Sequence, residues 1–252
     1  MAAPIFVLCE NADDLAGRAA DYIVQSAREA IAERGRFTLV LSGGSTPEKT
    51  YSLLAEPARL TAIDWARVSV FFGDERFVPA DDPRSNFAMA RRALLARVPL
   101  PTAQVFSVPT QAESPAACAA AYAAALARCF ATTPSSAPPR FDLILLGMGE
   151  DGHIASLFPA AAALDVVDAW VTWSPPGRLP PPVDRITLTY PVLNAARRVA
   201  FLIAGANKAV ALQEVVERHA AREHRPAAGV QVAEGLLTWF VDRDAARLLQ
   251  QK

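Results

Sequence analysis

The sequence predicts a three-layer α/β/α fold on a mostly parallel sheet. Three observations carry this expectation. Short apolar runs recur along the chain and stop at glycine, proline or charge, as strands buried on both faces do. Helical stretches separate them, so strands and helices alternate throughout. Glycine-rich or charged clusters stand directly behind several of the runs, at the strand ends where open α/β sheets hold ligands.

Taken in order, Ile5–Cys9 reads as the first strand. Asp13 is placed to cap a long helix reaching about Glu33, with Leu15, Ala19, Tyr22, Ile23 and Ala27 on one face and Gly35 as its stop. Phe37–Leu41 is the second strand. SGGSTPEKTY follows at 42–51, and Pro47 suits the first turn of a new helix. Val68–Phe72 is a third strand running into the charged loop GDERFVPADDPRSN, and Asn86 is expected to cap a helix over Phe87–Leu95. Gln104–Val108 reads as a strand, and Ser114 caps an alanine-rich helix ending near Phe130. The Pro-rich stretch 131–140 leads into the strand Phe141–Leu146.

Beyond that strand, Trp170–Trp173 and Arg185–Thr189 read as strands, the second ended by Tyr190 and Pro191. Between them SPPGRLPPP, 174–182, forms an exposed stiff loop suited to a rim or lid. Val199–Ile203 is a strand ending in GANK, and Lys208 opens the helix Ala209–Glu217. Leu237–Val241 is the last strand, followed by a helix capped by Asp242. No internal repeat or composition break divides the chain, so residues 1–252 are expected to form one domain.

Composition narrows the function. Of 252 residues, 52% are hydrophobic and 20% charged, enough for a sizeable core. The net charge of -1 argues against nucleic-acid binding through bulk charge, so an anionic ligand must be held by a few local cations. No apolar run approaches the roughly 20 residues that span a bilayer. The start, MAAPIFVLCENADD, lacks the basic region of a signal peptide. Three cysteines, Cys9, Cys118 and Cys129, without CxxC spacing, argue against a metal or disulfide framework and fit a reducing cytoplasm.

Four ligand-capable groups follow predicted strands: SGGST, DER, the Asp151–His153 turn and GANK. If the strands are parallel, all four share one sheet edge. The glycines and hydroxyls of Ser42, Gly43, Gly44 and Thr46 before a helix form a cradle for phosphate or carboxylate; an ordinary glycine turn with a cap fits the same residues. The loop is neither a Walker A motif, which ends in GK[ST], nor a GxSxG nucleophile elbow. His153, on a glycine turn at a strand end, is the best candidate base. Asp151 can orient its imidazole or simply cap the turn. His219 and His224 lie in the charged stretch RHAAREHR and read as solvated. Gly147, Gly149 and Gly152 match GxGxxG, with Asp165 or Asp168 as the ribose acid. Glu150 and Asp151 would repel a pyrophosphate there, and Pro159 leaves little room for a crossover helix.

SGGSTP, GDERFVP followed by SN, and GMGEDGHIASLFP, in this order and completed by RITLT and GANK, resemble the glucosamine-6-phosphate isomerase/6-phosphogluconolactonase family over nearly the whole chain. The resemblance implies a Rossmann-like sheet of the glucosamine-6-phosphate deaminase/ribose-5-phosphate isomerase type. Deaminases of this fold carry a further acidic residue soon after DGHIA; Ser156, Leu157 and Phe158 occupy that region here and favour the lactonase. The implied reaction is opening of 6-phospho-D-glucono-1,5-lactone by water, without cofactor or metal, in the oxidative pentose phosphate pathway. The implied base is His153. Arg76 or a backbone N–H of the glycine turn would serve the oxyanion. Ser42, Gly43, Gly44, Thr46, Arg185 and Lys208 would hold the phosphate, and Asp74 a sugar hydroxyl or Arg76. A small sugar-phosphate lactone is thus the expected partner, for a chain expected to be a cytoplasmic monomer.

Overall fold

The structure, a computed structural model, describes residues 3–133, 137–177 and 181–250. Six strands form a parallel sheet in the order β1-β9-β8-β5-β2-β3. They are β1 (Ile5–Cys9), β2 (Phe37–Leu41), β3 (Val68–Phe72), β5 (Leu143–Leu146), β8 (Arg198–Ile203) and β9 (Leu236–Asp242). Every residue of β2 and β5 is buried, as expected of strands covered on both faces. The expectation of a mostly parallel sheet with flanking helices holds.

The chain runs from β2 outward to β3, then returns to place β5 on the other side of β2. Strand order reverses there, and such a switch point opens a crevice at the strands' carboxyl ends. The β2–β5 pairing spans Leu39↔Leu143 and Val40↔Ile144. Just before it, the buried Asp142 carboxylate accepts hydrogen bonds from the Thr38 backbone N–H and hydroxyl, both at 2.8 Å, and from Arg34 at 2.9 Å.

Helix α1 (Ala12–Arg34) buries Leu15, Ala19, Ile23 and Ala27 against the sheet. Its cap is Asn11 rather than Asp13: the Asn11 side chain accepts from the backbone of Asp13 and Asp14, and both acids sit in the first turn, where the positive helix end favours them. Gly35, at φ 72°, ends it. Helix α2 (Ser45–Leu54) packs beside α1 and starts at Ser45, ahead of the expected Pro47, because Gly44 at φ 111° makes the turn. α3 (Pro57–Leu60) is a single turn. α4 (Asn86–Ala90) continues as a π-turn over Arg91–Leu95. Its cap is Ser85, not Asn86, whose own N–H is taken by Glu75. α5 (Pro115–Cys129) is capped by Ser114 as expected.

The sequence reading missed a second sheet. The DER segment is not a loop but a strand, β4 (Asp74–Arg76), in an antiparallel sheet of order β4-β7-β6 with β6 (Val171–Ser174) and β7 (Arg185–Leu188). α5 packs on β6 and β7. Gln104–Val108 is not a strand: a 3-10 turn over Thr102–Gln104 is followed by one bridge, Val70↔Val105. Tyr190 and Pro191 do not merely end a strand; they open the short helix α6 (Tyr190–Ala195). β5 begins at Leu143 because Asp142 is engaged with Thr38. Helix α7 (Ala209–Val216) follows a 3-10 turn ending at Lys208, and α8 (Arg243–Ala246) is capped by Asp242 as expected. Of the expected rim loop 174–182, residues 178–180 lie outside the described residues.

Candidate active site

All four predicted clusters follow parallel strands: SGGST follows β2, DER follows β3, the Asp151–His153 turn follows β5 and GANK follows β8. These four strands are neighbours in the sheet, so the clusters share one edge. Arg185 joins them by another route. It starts β7, and the antiparallel pairing sets it directly opposite Arg76.

The glycine turn holds a dyad. His153 Nδ1 lies 2.6 Å from Asp151 Oδ1, and the same oxygen accepts the His153 backbone N–H at 3.1 Å. A carboxylate only accepts, so Nδ1 carries a proton, and in the neutral imidazole Nε2 is then the nitrogen with the lone pair. Gly149 donates to the His153 carbonyl at 2.8 Å and Gly152 to the Gly149 carbonyl at 3.0 Å. Gly152 sits at φ 80°, and a Cβ on Gly149 would overlap both His153 and Asp151. Burial works to raise the Asp151 carboxyl, but the hydrogen bond and charge of His153 outweigh it and hold the group below the usual carboxylate range. After Ile154 the chain forms a bridged turn to Leu157 rather than a helix, which removes the dinucleotide reading of the GxGxxG match.

The residues expected to cradle a phosphate lie across the switch point from the dyad. Ser42 Oγ accepts from the Gly147 N–H at 3.3 Å, joining the β2 and β5 loops. The N–H groups of Ser45 and Thr46 open α2 and have no intrahelical acceptor. Gly43 makes room for the Asn86 amide, which a Cβ would overlap. Two tyrosines fix the strand ends from beneath. The Tyr51 hydroxyl accepts from the Ser42 N–H and donates to the Ser42 carbonyl, both at 2.9 Å. Tyr122 does the same for Phe72 at 2.8 and 3.0 Å. Burial pushes both phenols upward, so they remain protonated donors.

Asp74 is buried and accepts from Ser156 Oγ at 2.6 Å and Asn86 Nδ2 at 3.1 Å. It thus ties the DER strand to the DGHIAS turn. No bond joins it to Arg76, so the expectation that it orients Arg76 is not met. Glu75, not singled out from sequence, accepts the N–H groups of Arg76 and Asn86 at 2.7 Å each and Phe87 at 2.8 Å, and the Ser85 hydroxyl at 3.0 Å. Burial raises its carboxyl despite these donors.

Three cations near this edge lack a carboxylate partner, though Arg76 Nη1 donates to the Arg84 carbonyl at 2.5 Å. Among the described residues Arg76, Arg185 and Lys208 form no ion pair. Arg76 Nε is buried without a hydrogen-bond partner. Among the described residues Arg185 donates only to the Val183 and Pro181 carbonyls, at 3.2 and 3.0 Å, and it lies 5.9 Å over the Phe158 ring. Burial lowers its pKa, opposed by the Asp74 charge. Burial likewise lowers that of Lys208, opposed by Glu150 and Asp151. Phe158, missed as a site residue, also packs 4.9 Å from the His153 ring and so walls both base and cation.

A cleft of about 740 Å³ opens beside the turn, lined by Asp151, Phe158, Pro175, Glu214, His224 and Arg225 among others. Ser42, Arg76, Arg185 and Lys208 do not line it, so the chemistry is placed by the converging side chains and not by this cavity. Among the described residues no three His, Cys, Asp or Glu side chains gather in a metal-binding group, and no helix is long and apolar enough to cross a membrane. Burial pushes the Cys9 and Cys118 thiols up to about 11, well away from thiolate chemistry.

Residues 10–239 match the family model described as glucosamine-6-phosphate isomerases/6-phosphogluconolactonase. A 6-phosphogluconolactonase of Synechocystis sp. is 42% identical over 240 residues, covering 95% of this chain and 96% of its own. A probable chloroplastic 6-phosphogluconolactonase of rice is 40% identical over 246 residues, covering 95% of this chain and 75% of its own. Among solved structures, the 6-phosphogluconolactonase of Trypanosoma cruzi superimposes with a TM-score of 0.88 at 30% identity, covering 99% of this chain and 98% of that one.

Proposed function

The chain belongs to the family of glucosamine-6-phosphate isomerases and 6-phosphogluconolactonases, and from that premise we propose that it hydrolyses 6-phospho-D-glucono-1,5-lactone to 6-phospho-D-gluconate. The observation that carries the reading is the Asp151–His153 dyad set on the same sheet edge as three cations without carboxylate partners. A neutral ester carbonyl and a phosphate dianion are the two substrate ends such an edge accommodates.

His153 Nε2 takes a proton from water, and the hydroxide adds to C1 of the lactone. Asp151 keeps the imidazole in the reactive tautomer and stabilises the imidazolium. Negative charge develops on the carbonyl oxygen, where Arg76 or a backbone N–H of the glycine turn donates. The C1–ring oxygen bond then breaks, and the imidazolium returns its proton to the departing oxygen. One water is consumed, and the product acid ionises in solution. The phosphate is held by Ser42, Gly43, Gly44 and Thr46 at the start of α2, with Arg185 and Lys208 as counter-charges. Each charge-assisted bond contributes roughly 1.5–3 kcal/mol, so a few cations suffice on a chain of net charge -1. Asp74, with one oxygen on Ser156 and one on Asn86, keeps acceptor capacity for a sugar hydroxyl.

The same reading places the activity in the oxidative pentose phosphate pathway and takes residues 1–252 as one catalytic domain working as a monomer. A cytoplasmic site suits the three free cysteines. The test is hydrolysis of freshly generated lactone with EDTA present, against an enzyme-free blank and against His153→Ala. Acceleration that collapses in the variant is the expected result. A wild-type rate equal to the blank overturns the reading.

A further inference from the structure

We propose that Arg225, held by Glu214, is a positioning residue for the Asp151–His153 dyad; this rests on the reading of His153 as the base. Arg225 Nη1 donates to the Asp151 carbonyl at 3.0 Å. Two residues on, the Ala227 N–H donates to the Gly152 carbonyl at 2.9 Å. Two consecutive carbonyls of the turn are therefore held by one short segment of a distant loop. Gly152 lies at φ 80° with its Cα facing Arg225; a Cβ there would meet the Arg225 side chain at 2.7 Å and its Cα at 3.2 Å. The side chain is packed onto the turn as well as bonded to it.

The turn's own bonds fix its interior: Gly149 to His153, Gly152 to Gly149, and the His153 N–H to Asp151. None of them fixes the tilt of the turn relative to the rest of the edge. Arg225 does so from outside. Its guanidinium is committed by an ion pair between Nε and Glu214 Oε2, so Nη1 has little freedom. Glu214 lies on α7, the helix that begins directly after Lys208. The proposed phosphate cation thus stands directly before the helix that carries Glu214, the carboxylate holding the brace. The carboxylate that orients the base is registered against the cation that places the substrate.

A misplacement of the base by a fraction of an ångström lowers turnover without weakening phosphate binding. Arg225→Met, which keeps bulk and removes the donors, is expected to lower kcat by roughly 10- to 100-fold. KM should stay within about twofold. Arg225→Lys should recover part of the loss, and Glu214→Gln should lower kcat in the same direction. ¹⁵N spectra of the imidazoles supply the second measurement. The wild type should show His153 with a protonated, hydrogen-bonded Nδ1, and Arg225→Met should lose that pattern. Turnover retained in Arg225→Met while His153→Ala collapses would overturn the inference. So would a fall in kcat with an unchanged His153 spectrum, which marks a merely structural role. Full turnover in His153→Ala would instead remove the reading of the base itself. Should Arg225→Met not fold, Arg225→Lys and Glu214→Gln carry the same comparison.

Discussion

Arg76 and Arg185 stand directly opposite each other across the β4–β7 pair, and among the described residues neither meets a carboxylate in an ion pair. Like charges in this position destabilise a sheet. An anion between or beside them relieves the repulsion. Arg185→Gln should therefore leave the unliganded fold as stable as the wild type, or more so, while raising KM about 10- to 100-fold, the loss of one or two charge-assisted bonds. Thermal unfolding with and without 6-phosphogluconate checks both halves. A ligand-induced stabilisation equal in variant and wild type would place the phosphate elsewhere.

Asp151→Asn tests the dyad and carries a pH signature. The wild-type carboxyl is held below its ordinary range in the fold. Its stabilising contribution is therefore present above the unfolded carboxylate pKa, about 3.9, and disappears as pH falls through the lower folded value. The asparagine variant lacks this contribution. Its acid unfolding, followed by circular dichroism, should be less steep below about pH 4 than the wild type's, and kcat should fall by about two orders of magnitude or more.

Gly149→Ala places a methyl where His153 and Asp151 meet. The added atom must separate the pair or displace the turn, and neither preserves Nδ1 orientation. The expected variant is folded, binds product with near wild-type affinity and turns over at least about 100-fold more slowly. Calorimetric titration with 6-phosphogluconate alongside kinetics separates the two effects; a drop in binding equal to the drop in rate would count against the prediction.

Glu75→Gln addresses the strap behind Arg76. The carboxylate takes four donors, two on each oxygen, and an amide offers one accepting oxygen. The variant strands buried donors, at about 1–3 kcal/mol each, and should melt several degrees lower. It should also flatten one pH slope. Because burial raises the folded carboxyl, the wild type binds the extra proton in the fold and loses stability as pH rises from the unfolded pKa through the raised one. Melting temperatures across that window in both proteins check the sign.

How much of this was legible beforehand follows from range. β2, β3, β5 and β8 announced themselves as local apolar runs, and the clusters behind them converge because parallel strands share an edge. His153 and Asp151 are two residues apart, so their pairing was readable. The antiparallel sheet was not: Asp74–Arg76 is three charged residues whose strand character comes only from Arg185–Thr187, over a hundred positions later. Ser85 displaced Asn86 as cap because Glu75 claims the Asn86 N–H, a contact no local pattern encodes. Tyr51 and Tyr122 lie inside helices, and nothing local marks their hydroxyls as partners of the Ser42 and Phe72 backbone. Arg225 closes a charged stretch, RHAAREHR, that reads as solvated surface; nothing short of the tertiary contact with the Asp151 carbonyl marks it out.

The β2–β5 seam has a consequence for the nascent chain. Ser42, Asp74 and Arg76 are translated before α5, and Asp151, His153, Arg185 and Lys208 after it. On the proposed assignment the chain up to α5 carries the glycine and hydroxyl cradle without a base, and the second half carries the base and the counter-charges Arg185 and Lys208 without that cradle. On that assignment turnover requires β5 beside β2, where Asp142 closes on Thr38. Two separately expressed fragments divided after α5 would each be silent, and their mixing would make catalysis a direct reporter of that single strand insertion.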